Sequence, residues 1–416
     1  MEAIFLHHLG VPCISKVKKT KKTLCQDDRI YYLNPQAIVR YEPGGATITP
    51  PMLYSTFIRA DNELSDLLRK RSFPAKGLAT ETLSLLLENK VILEDRQTDE
   101  KYREMFVEEN GLPTQVLLEV TSSCNCDCIM CYHKADLDGY TPPIEDIFRR
   151  VRKLKELGIG LFEVTGGEPL LRKDLDKILS YIEDQGLHFY VVTNGEYLKD
   201  IDDGLIAVLK RGLGLAVSID GIGETHNRVR QRPGLYDKVV SGLDFISKKG
   251  IKVYLISTLN QENISCIEEM IAVAKRYNTT IHIRPTINTG GAAINKLEKI
   301  NLADQLKKYL KDENVRNGLL STKKSIPEAR YYGCGTRKRI SVSPSGILFS
   351  CVMDRSKPMN DIEKYDQKMI LGELREETES FLKKHNLCKS CKVNDGKPEP
   401  VCGGFCRFSQ SYLKGL

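Results

Sequence analysis

The 416-residue sequence contains no uninterrupted apolar run of about 18 residues, the length that a membrane-spanning helix requires. The opening "MEAIFLHHLGVPCISKVKK" has a short apolar stretch that is interrupted by two histidines and followed, not preceded, by lysines, which is the reverse of the pattern of a secretory signal. We therefore expect no membrane partner and a cytoplasmic location. In that compartment thiols stay reduced, and clustered cysteines are more often metal ligands or catalysts than disulfides.

A strong excess of one charge is also absent. The net charge is +7 and no dense surface motif of basic and aromatic residues occurs, so we expect no nucleic-acid partner. With 41% hydrophobic residues, the chain is long enough for one large domain and one or two small ones, each with its own apolar core.

Cysteine is present in quantity, and its distribution is uneven. Four of the 13 cysteines lie within residues 124–131. Six more fall in the last fifth of the chain: Cys334, Cys351, Cys388, Cys391, Cys402 and Cys406. The other three stand alone in the sequence, and we expect them to be ordinary buried or surface thiols.

Three segments differ in their pattern. Residues 1–108 combine short strands with helical stretches and predict a small α+β domain. Residues 114–315 repeat an apolar strand, a polar turn and an amphipathic helix six times, which predicts a parallel sheet covered on its outer face, as in a partial (β/α)6 TIM barrel. Residues 316–416 are rich in cysteine, glycine and proline, and such a segment is usually held together by metal. The predicted fold class is α/β.

Chemically unusual residues follow the predicted strands of the central segment. The first four strands are followed by "TSSCNCDCIMC", "GGEP", "TNG" and "SIDG". Ligands of parallel α/β sheets and barrels bind beyond the carboxyl ends of the strands, where these loops converge. The sequence therefore predicts one site built from all four loops.

The first of these loops has the spacing C-x3-C-x2-C at Cys124, Cys128 and Cys131. Three thiolates on a four-iron cluster leave one iron open to bind a cofactor or substrate, which a closed four-thiolate electron carrier does not need. Cys126 lies between them, and we interpret it as a loop residue that ligates nothing.

In this combination the chain resembles the radical SAM superfamily, which carries such a cysteine loop after the first strand of a partial (β/α)6 barrel and "GGEP" after the second. Here the latter is "TGGEPLL" at residues 165–171. The resemblance implies that Cys124, Cys128 and Cys131 hold a catalytic [4Fe–4S] cluster and that S-adenosyl-L-methionine (SAM) chelates the open iron. It also implies reductive cleavage of SAM to a 5′-deoxyadenosyl radical, with the electron supplied by an external donor of the flavodoxin or ferredoxin type.

The resemblance also assigns contacts with SAM. Met130 stands where the family often has an aromatic residue against the adenine, and it could pack similarly. Glu168 would accept a hydrogen bond from the SAM amino group. The remaining assignments are Gly166 and Gly167 for close backbone approach, Ser218 for the ribose, and Arg230 for the SAM carboxylate. Arg230 lies in a stretch that matches the family only in part, since Asn227 and Gln231 depart from its pattern.

The tail resembles the SPASM domain, which binds auxiliary [4Fe–4S] clusters. Its six cysteines would be divided into two sets, Cys334, Cys351 and Cys406 for the nearer cluster and Cys388, Cys391 and Cys402 for the distal one. The gap between Cys391 and Cys402 is longer than in the family, and no seventh cysteine follows Cys406. Each set is thus one ligand short. Three alternatives stay open: a non-cysteine ligand such as an aspartate completes a set, an iron is left open for substrate, or only one auxiliary cluster forms.

SPASM tails occur mainly on peptide-modifying enzymes, and residues 1–108 resemble the winged-helix element that recognises leader peptides in maturases of ribosomally made peptides. The resulting hypothesis is a maturase that makes a thioether or carbon–carbon crosslink in a precursor peptide. One alternative is maturation of a residue in a folded enzyme, as for sulfatases, or of a small-molecule cofactor. The other is a non-catalytic zinc-binding protein, in which the same cysteines hold zinc.

Overall fold

The computed structural model describes residues 24–26, 28–51, 58–97, 101–133, 138–297, 315–317, 339–351, 355 and 357–385. Of the six tail cysteines only Cys351 lies among them. The predictions for Cys334, Cys388, Cys391, Cys402 and Cys406 fall outside the described residues.

The amino-terminal segment forms two small sheets with two helices and has its own apolar core. Its elements are β1 (Ile30–Leu33), β2 (Ile38–Glu42), β3 (Gly45–Thr49), β4 (Ile58–Ala60), α1 (Asn62–Arg69), β5 (Ser72–Pro74), α2 (Thr80–Glu88), β6 (Ile92–Leu93) and β7 (Arg103–Phe106). The strand orders are β4-β3-β2-β7 and β5-β1-β6. The mixed α+β character agrees with the sequence pattern, whereas the winged-helix assignment stays a prediction.

The large sheet contains the six predicted strands in sequence order, all parallel to their neighbours. They are β8 (Gln115–Glu119), β9 (Leu161–Thr165), β10 (His188–Thr193), β11 (Leu215–Ser218), β12 (Val253–Leu259) and β13 (Ile281–Pro285). The prediction of an α/β fold with a large parallel sheet is therefore confirmed, and the arrangement is consistent with a partial TIM barrel.

Helices connect these strands. They are α3 (Ile144–Glu156), α4 (Leu175–Asp184), α5 (Asp203–Arg211), α6 (Glu224–Arg230), α7 (Leu235–Lys248), α8 (Ile267–Arg276) and α9 (Gly290–Ile294). Helix α3 buries Ile147, Val151 and Leu154 on its apolar face. Gly158 just beyond this helix has φ +81, a conformation that glycine adopts without strain and that commonly ends a helix.

Alternation along the strands separates an outer from an inner face. Val116 and Leu118 of β8 belong to the large apolar core that the helices share with the sheet. Gln115 and Glu119 alternate with them and are also buried, so the inner face of the sheet carries polar groups. Polar side chains inside the curve of the sheet can serve a site at its carboxyl edge.

The sheet continues beyond the predicted barrel segment at both edges. Strand β14 (Val315–Asn317) pairs parallel to β13, and β15 (Arg339–Val342) pairs parallel to β8. Strand β16 (Leu348–Phe349) then pairs antiparallel to β15, and α10 (Gln367–His385) follows. Because β15 belongs to the segment assigned to the tail, that boundary does not coincide with the edge of the sheet; the pairing satisfies backbone groups that β8 would otherwise leave open.

Candidate active site

The cysteine loop follows β8 at the carboxyl edge of the sheet, as predicted from its position in the sequence. Cys124, Cys128 and Cys131 are half-buried, whereas Cys126 is only 5% exposed and belongs to the apolar core. The backbone N–H of Cys131 donates to the carbonyl of Cys128 at 3.0 Å, which closes a tight turn between these two cysteines.

The thiol of Cys126 makes hydrogen bonds with the thiols of Cys124 and Cys128. Hydrogen bonding from Cys126 is the main cause that lowers the pKa of Cys124, and it also lowers the pKa of Cys128 to about 7, with help from the positive charge of Arg230. The pKa of Cys126 itself is raised, first by the same two hydrogen bonds. The raised pKa favours the protonated thiol at Cys126, and its interpretation as a loop residue that ligates nothing stays a prediction.

A cluster of iron and sulfur requires thiolates as ligands, and this donor set fits it chemically. Two of the three thiols in the C-x3-C-x2-C spacing have lowered pKa values, so they lose their protons readily. No group of three His, Cys, Asp or Glu side chains in the described part of the chain already has the arrangement of a metal site. The fit therefore concerns residue chemistry, and the three ligands stay a prediction.

The glycines of "TGGEP" hold the start of the cysteine loop. A Cβ on Gly166 would lie 2.1 Å from the Thr121 carbonyl oxygen, and one on Gly167 would lie 2.0 Å from that of Ser123. The N–H groups of Gly167 and Glu168 donate to these two carbonyl oxygens, each at 2.8 Å. Both glycines therefore permit close approach of the two loops, in addition to any approach to SAM that the resemblance implies.

Glu168 is 1% exposed and lies directly behind this contact. Its carboxylate accepts hydrogen bonds from the Leu170 N–H at 2.9 Å, the Thr193 hydroxyl at 2.8 Å and the Asn194 N–H at 2.7 Å. Burial raises its pKa to about 7, against the opposing effect of these donors. The position of this side chain is thus fixed, and about half of the molecules carry it ionised near pH 7, the form that accepts a hydrogen bond from an amino group.

Asn194 lies in the third of the four predicted loops, at the end of β10, but the sequence assigned it no role. The Asn194 amide donates to the Asn125 side-chain oxygen at 2.8 Å and to the Cys126 sulfur at 3.5 Å. Asn125 in turn donates to Glu196, which also binds Arg232 and Lys238. The signal was present as "TNG" after the third strand, but nothing in the sequence identified its partners.

The fourth loop brings Asp220 and Arg230 against the cysteine loop. Ser218 is buried at the end of β11, where the ribose assignment stays a prediction. Asp220 is fully buried and forms an ion pair with Arg230 at 2.5 Å. The guanidinium of Arg230 also contacts the sulfur of Cys128 at 3.7 Å. Among the described residues the Arg230 guanidinium thus faces Asp220 and Cys128, while its assignment to the SAM carboxylate stays a prediction.

The loop after β13 covers the other side of the cysteine loop. Gly291 donates to the Cys131 carbonyl at 2.7 Å, and the Asn295 amide donates to the Ile129 carbonyl at 2.9 Å. A Cβ on Gly290 would lie 2.5 Å from the Cys131 oxygen. In the sequence this contact is marked only by the pair of glycines after the sixth strand. Met130 lies within this covered stretch and is half-buried.

A further polar group lies inside the curve of the sheet. Glu119 at the end of β8 is fully buried and accepts hydrogen bonds from the Tyr132 hydroxyl, at 3.1 Å, and from Arg355. Burial raises the pKa of Tyr132 well above its usual value, so this hydroxyl stays protonated. Arg355 follows Cys351, which is 4% exposed. The contacts of Glu119 with Arg355 and Tyr132 therefore link the segment after β16 to β8 and to the cysteine loop.

Residues 118–274 match the family model of the Radical SAM superfamily, which is an enzyme class. The chain is therefore an enzyme with a radical SAM domain, as predicted from the cysteine loop and "GGEP". No helix in the described part of the chain is both long and apolar enough to cross a membrane.

The relatives by sequence differ in function. Fe-coproporphyrin III synthase of Methanosarcina barkeri is 33% identical over 153 residues, which span 36% of this chain and 38% of that protein. GTP 3′,8-cyclase of Nautilia profundicola is 27% identical over 307 residues, which span 69% of this chain and 93% of that protein. The match spans less than two fifths of the length of Fe-coproporphyrin III synthase. The substrate of the present chain therefore does not follow from the names of these relatives.

Among solved structures, SuiB of Streptococcus suis is similar in fold. In its complex with S-adenosylmethionine the TM-score is 0.61 with 15% identity, covering 90% of this chain and 95% of SuiB. In its complex with the precursor peptide SuiA the TM-score is 0.58 with 14% identity, covering 81% and 87%. At this identity the similarity establishes the fold alone.

Proposed function

We propose that this enzyme is a maturase that forms a thioether or carbon–carbon crosslink in a ribosomally made precursor peptide. The proposal is carried by two features in combination. The chain has a three-cysteine loop in a radical SAM domain, and over 81% of its length its fold is similar to that of SuiB bound to the precursor peptide SuiA. A bound cluster with SAM would supply the radical chemistry that removes a hydrogen atom from the substrate.

In this proposal the residues of the chain bind and orient the cofactor. Cys124, Cys128 and Cys131 hold the cluster, and Glu168 accepts a hydrogen bond from the SAM amino group. Gly166 and Gly167 bring the "GGEP" loop against the cysteine loop. Met130 contacts the adenine and Ser218 the ribose. The buried surroundings of Glu168 exclude water from this contact, which strengthens it.

The amino-terminal domain is proposed to bind the leader part of the precursor peptide. Its two sheets have β4 and β7, and β5 and β6, as their edge strands. An extended peptide can add to such an edge through main-chain hydrogen bonds, with side-chain pockets giving specificity. The tail is proposed to hold one or two auxiliary [4Fe–4S] clusters, with Cys351 among the ligands, and a flavodoxin or ferredoxin is proposed as the external electron donor.

The proposal is tested by mass spectrometry of the source organism's small-peptide fraction after anaerobic incubation with reconstituted enzyme, SAM and a reductant. A peptide that loses two hydrogens supports a crosslinking maturase, and fragmentation locates the bond. Accumulation of 5′-deoxyadenosine with every peptide mass unchanged contradicts it. Absorbance at about 400 nm in anaerobically purified protein separately excludes the zinc alternative, since zinc sites are colourless.

The auxiliary cysteines provide a second prediction. The double replacement of Cys388 and Cys391 by alanine should leave SAM cleavage intact and abolish the peptide product, because these residues are assigned to the tail and not to the cysteine loop. Both readouts come from one reaction, with 5′-deoxyadenosine quantified by chromatography and the peptide by mass. Product formation that survives the replacement would limit the tail to a structural role.

Glu168 provides a third prediction, concerning pH. Its pKa of about 7 means that the carboxylate is mostly protonated at pH 6 and mostly ionised at pH 8. Because the ionised form binds the SAM amino group better, affinity for SAM should rise about tenfold as pH rises across this range. Equilibrium binding to the reconstituted enzyme measures it.

The variant Glu168→Gln should bind SAM more weakly and with little dependence on pH over this range. Glu196 is the matched control, because the side chains of Arg232 and Lys238 lower its pKa and keep it ionised across the same range. The variant Glu196→Gln should therefore retain the wild-type rise in affinity, whatever its absolute value. An unchanged rise in Glu168→Gln would assign the pH dependence to another group.

A second candidate function is maturation of a small-molecule cofactor. The relative named GTP 3′,8-cyclase favours it, because the match covers 93% of that protein. Incubation of the reconstituted enzyme with GTP, SAM and a reductant distinguishes the two candidates. Conversion of GTP would support this one, whereas a modified peptide mass would support the maturase.

A further inference from the structure

Arg230 is held rigidly at the end of α6. Its Nε donates to Asp220 Oδ2 at 2.6 Å and its Nη2 lies 2.5 Å from the same oxygen. The other oxygen, Oδ1, accepts from the Thr258 N–H at 2.6 Å. Because the side chain of Asp220 has no exposed surface and that of Arg230 only 14%, the carboxylate fixes the guanidinium in a buried setting.

The remaining edge of this guanidinium faces the cysteine loop. Nη1 of Arg230 lies 3.7 Å from Cys128 Sγ, within the range of a hydrogen bond to sulfur. The Asp220 carboxylate lies on the opposite edge, so the pair presents its positive end to the sulfur. In a buried setting such an interaction is weakly screened.

We propose that Arg230, positioned by Asp220, donates a hydrogen bond to the Cys128 thiolate and thereby raises the reduction potential of the cluster held by the loop. This inference rests on the proposed function, because it requires a cluster at Cys124, Cys128 and Cys131. Reduction adds one electron to a cluster that its thiolates already make negative. A donor on a ligand sulfur stabilises this reduced form more than the oxidised one.

Arg230 is thus a positioning residue that acts through Cys128. A purely structural role for the Asp220–Arg230 pair would lower stability when the pair is broken, without moving the potential of the cluster. A role in binding the SAM carboxylate would show only when SAM is present. The potential measured without SAM therefore separates this proposal from both.

The experiment is a redox titration of the full chain, reconstituted anaerobically and without SAM, followed by electron paramagnetic resonance. The signal of the loop cluster is the part that disappears in the triple variant Cys124→Ala, Cys128→Ala, Cys131→Ala. Arg230→Gln is the test variant. Arg228→Gln is the matched control, because Arg228 lies on the same helix, is half exposed and pairs with Glu262.

We expect Arg230→Gln to lower the midpoint potential by about 59 mV, which for a one-electron couple is a tenfold lower reduced fraction at a fixed potential well above the wild-type midpoint, where the cluster is mostly oxidised. Arg228→Gln should leave the midpoint unchanged. An unchanged midpoint in Arg230→Gln, or an equal shift in both variants, would overturn the proposal. If Arg230→Gln fails to fold or to take up iron, Arg230→Lys is measured, and a smaller shift in the same direction is then required.

The outcome also distinguishes failure of the proposed function. If the wild-type chain gives no signal that depends on the three loop cysteines, the loop holds no cluster and both proposals fail. If that signal is present and the Arg230 variants leave its midpoint unchanged, only the inference about Arg230 fails.

Discussion

Replacement of Cys128 by alanine is expected to reduce SAM cleavage to the level of a protein-free control. The proposed cluster has three thiolate ligands, so the loss of one leaves two, too few to hold the cluster with a single open iron. The structure makes Cys128 a sensitive position, because its sulfur contacts both Arg230 and Cys126 and its pKa is lowered to about 7. Chromatographic assay of 5′-deoxyadenosine, with iron quantified in the same sample, measures the effect.

The matched control is Cys126→Ala, which removes a thiol from the same loop two residues away. Cys126 keeps its proton and packs into the apolar core, so this variant should retain iron and most of the SAM cleavage. Its free energy of unfolding should fall by about 1 kcal/mol, since a buried sulfur is removed. If Cys126→Ala lost as much iron as Cys128→Ala, the assignment of the ligands to the C-x3-C-x2-C spacing would be wrong.

The six parallel strands could be predicted because each is a local pattern. Strand β9, for example, is an apolar run that ends in "TGG", and its burial on both faces leaves little alternative to a central parallel strand. Strand β15 could not be predicted in the same way. Its partner β8 precedes it by more than two hundred residues, and no local pattern in "RISV" specifies that pairing.

In the candidate site, the residue types could likewise be read from local sequence, whereas their contact partners could not. Cysteine spacing and "GGEP" drew attention to the three loop cysteines and to Glu168, whose roles were assigned by resemblance and stay predictions. The contact between Arg230 and Cys128 spans 102 positions, and that between Asn194 and Asn125 spans 69, so each depends on how neighbouring strands are aligned. The role of Arg230 was assigned by resemblance, whereas its observed contacts follow from the position of Asp220 beyond the end of β11.

Gly167→Ala is expected to destabilise the enzyme by about 3 kcal/mol and to displace the cysteine loop. The added Cβ would lie 2.0 Å from the Ser123 carbonyl oxygen, and this oxygen accepts the hydrogen bond from the Glu168 N–H. Two backbone segments must therefore separate, which moves Cys124 relative to Glu168. Thermal or denaturant unfolding measures the first effect, and iron content with SAM binding measures the second.

Gly372→Ala is the control for this substitution, because Gly372 lies within α10 and an added Cβ would meet nothing within 4 Å. Alanine is the better helix former, so this variant should be stabilised by about 0.5–1 kcal/mol, with iron content and SAM binding unchanged. A Gly167→Ala variant that unfolds like Gly372→Ala and binds SAM normally would show that the two loops can separate without cost. The close contact between "GGEP" and the start of the cysteine loop would then have no part in placing the ligands.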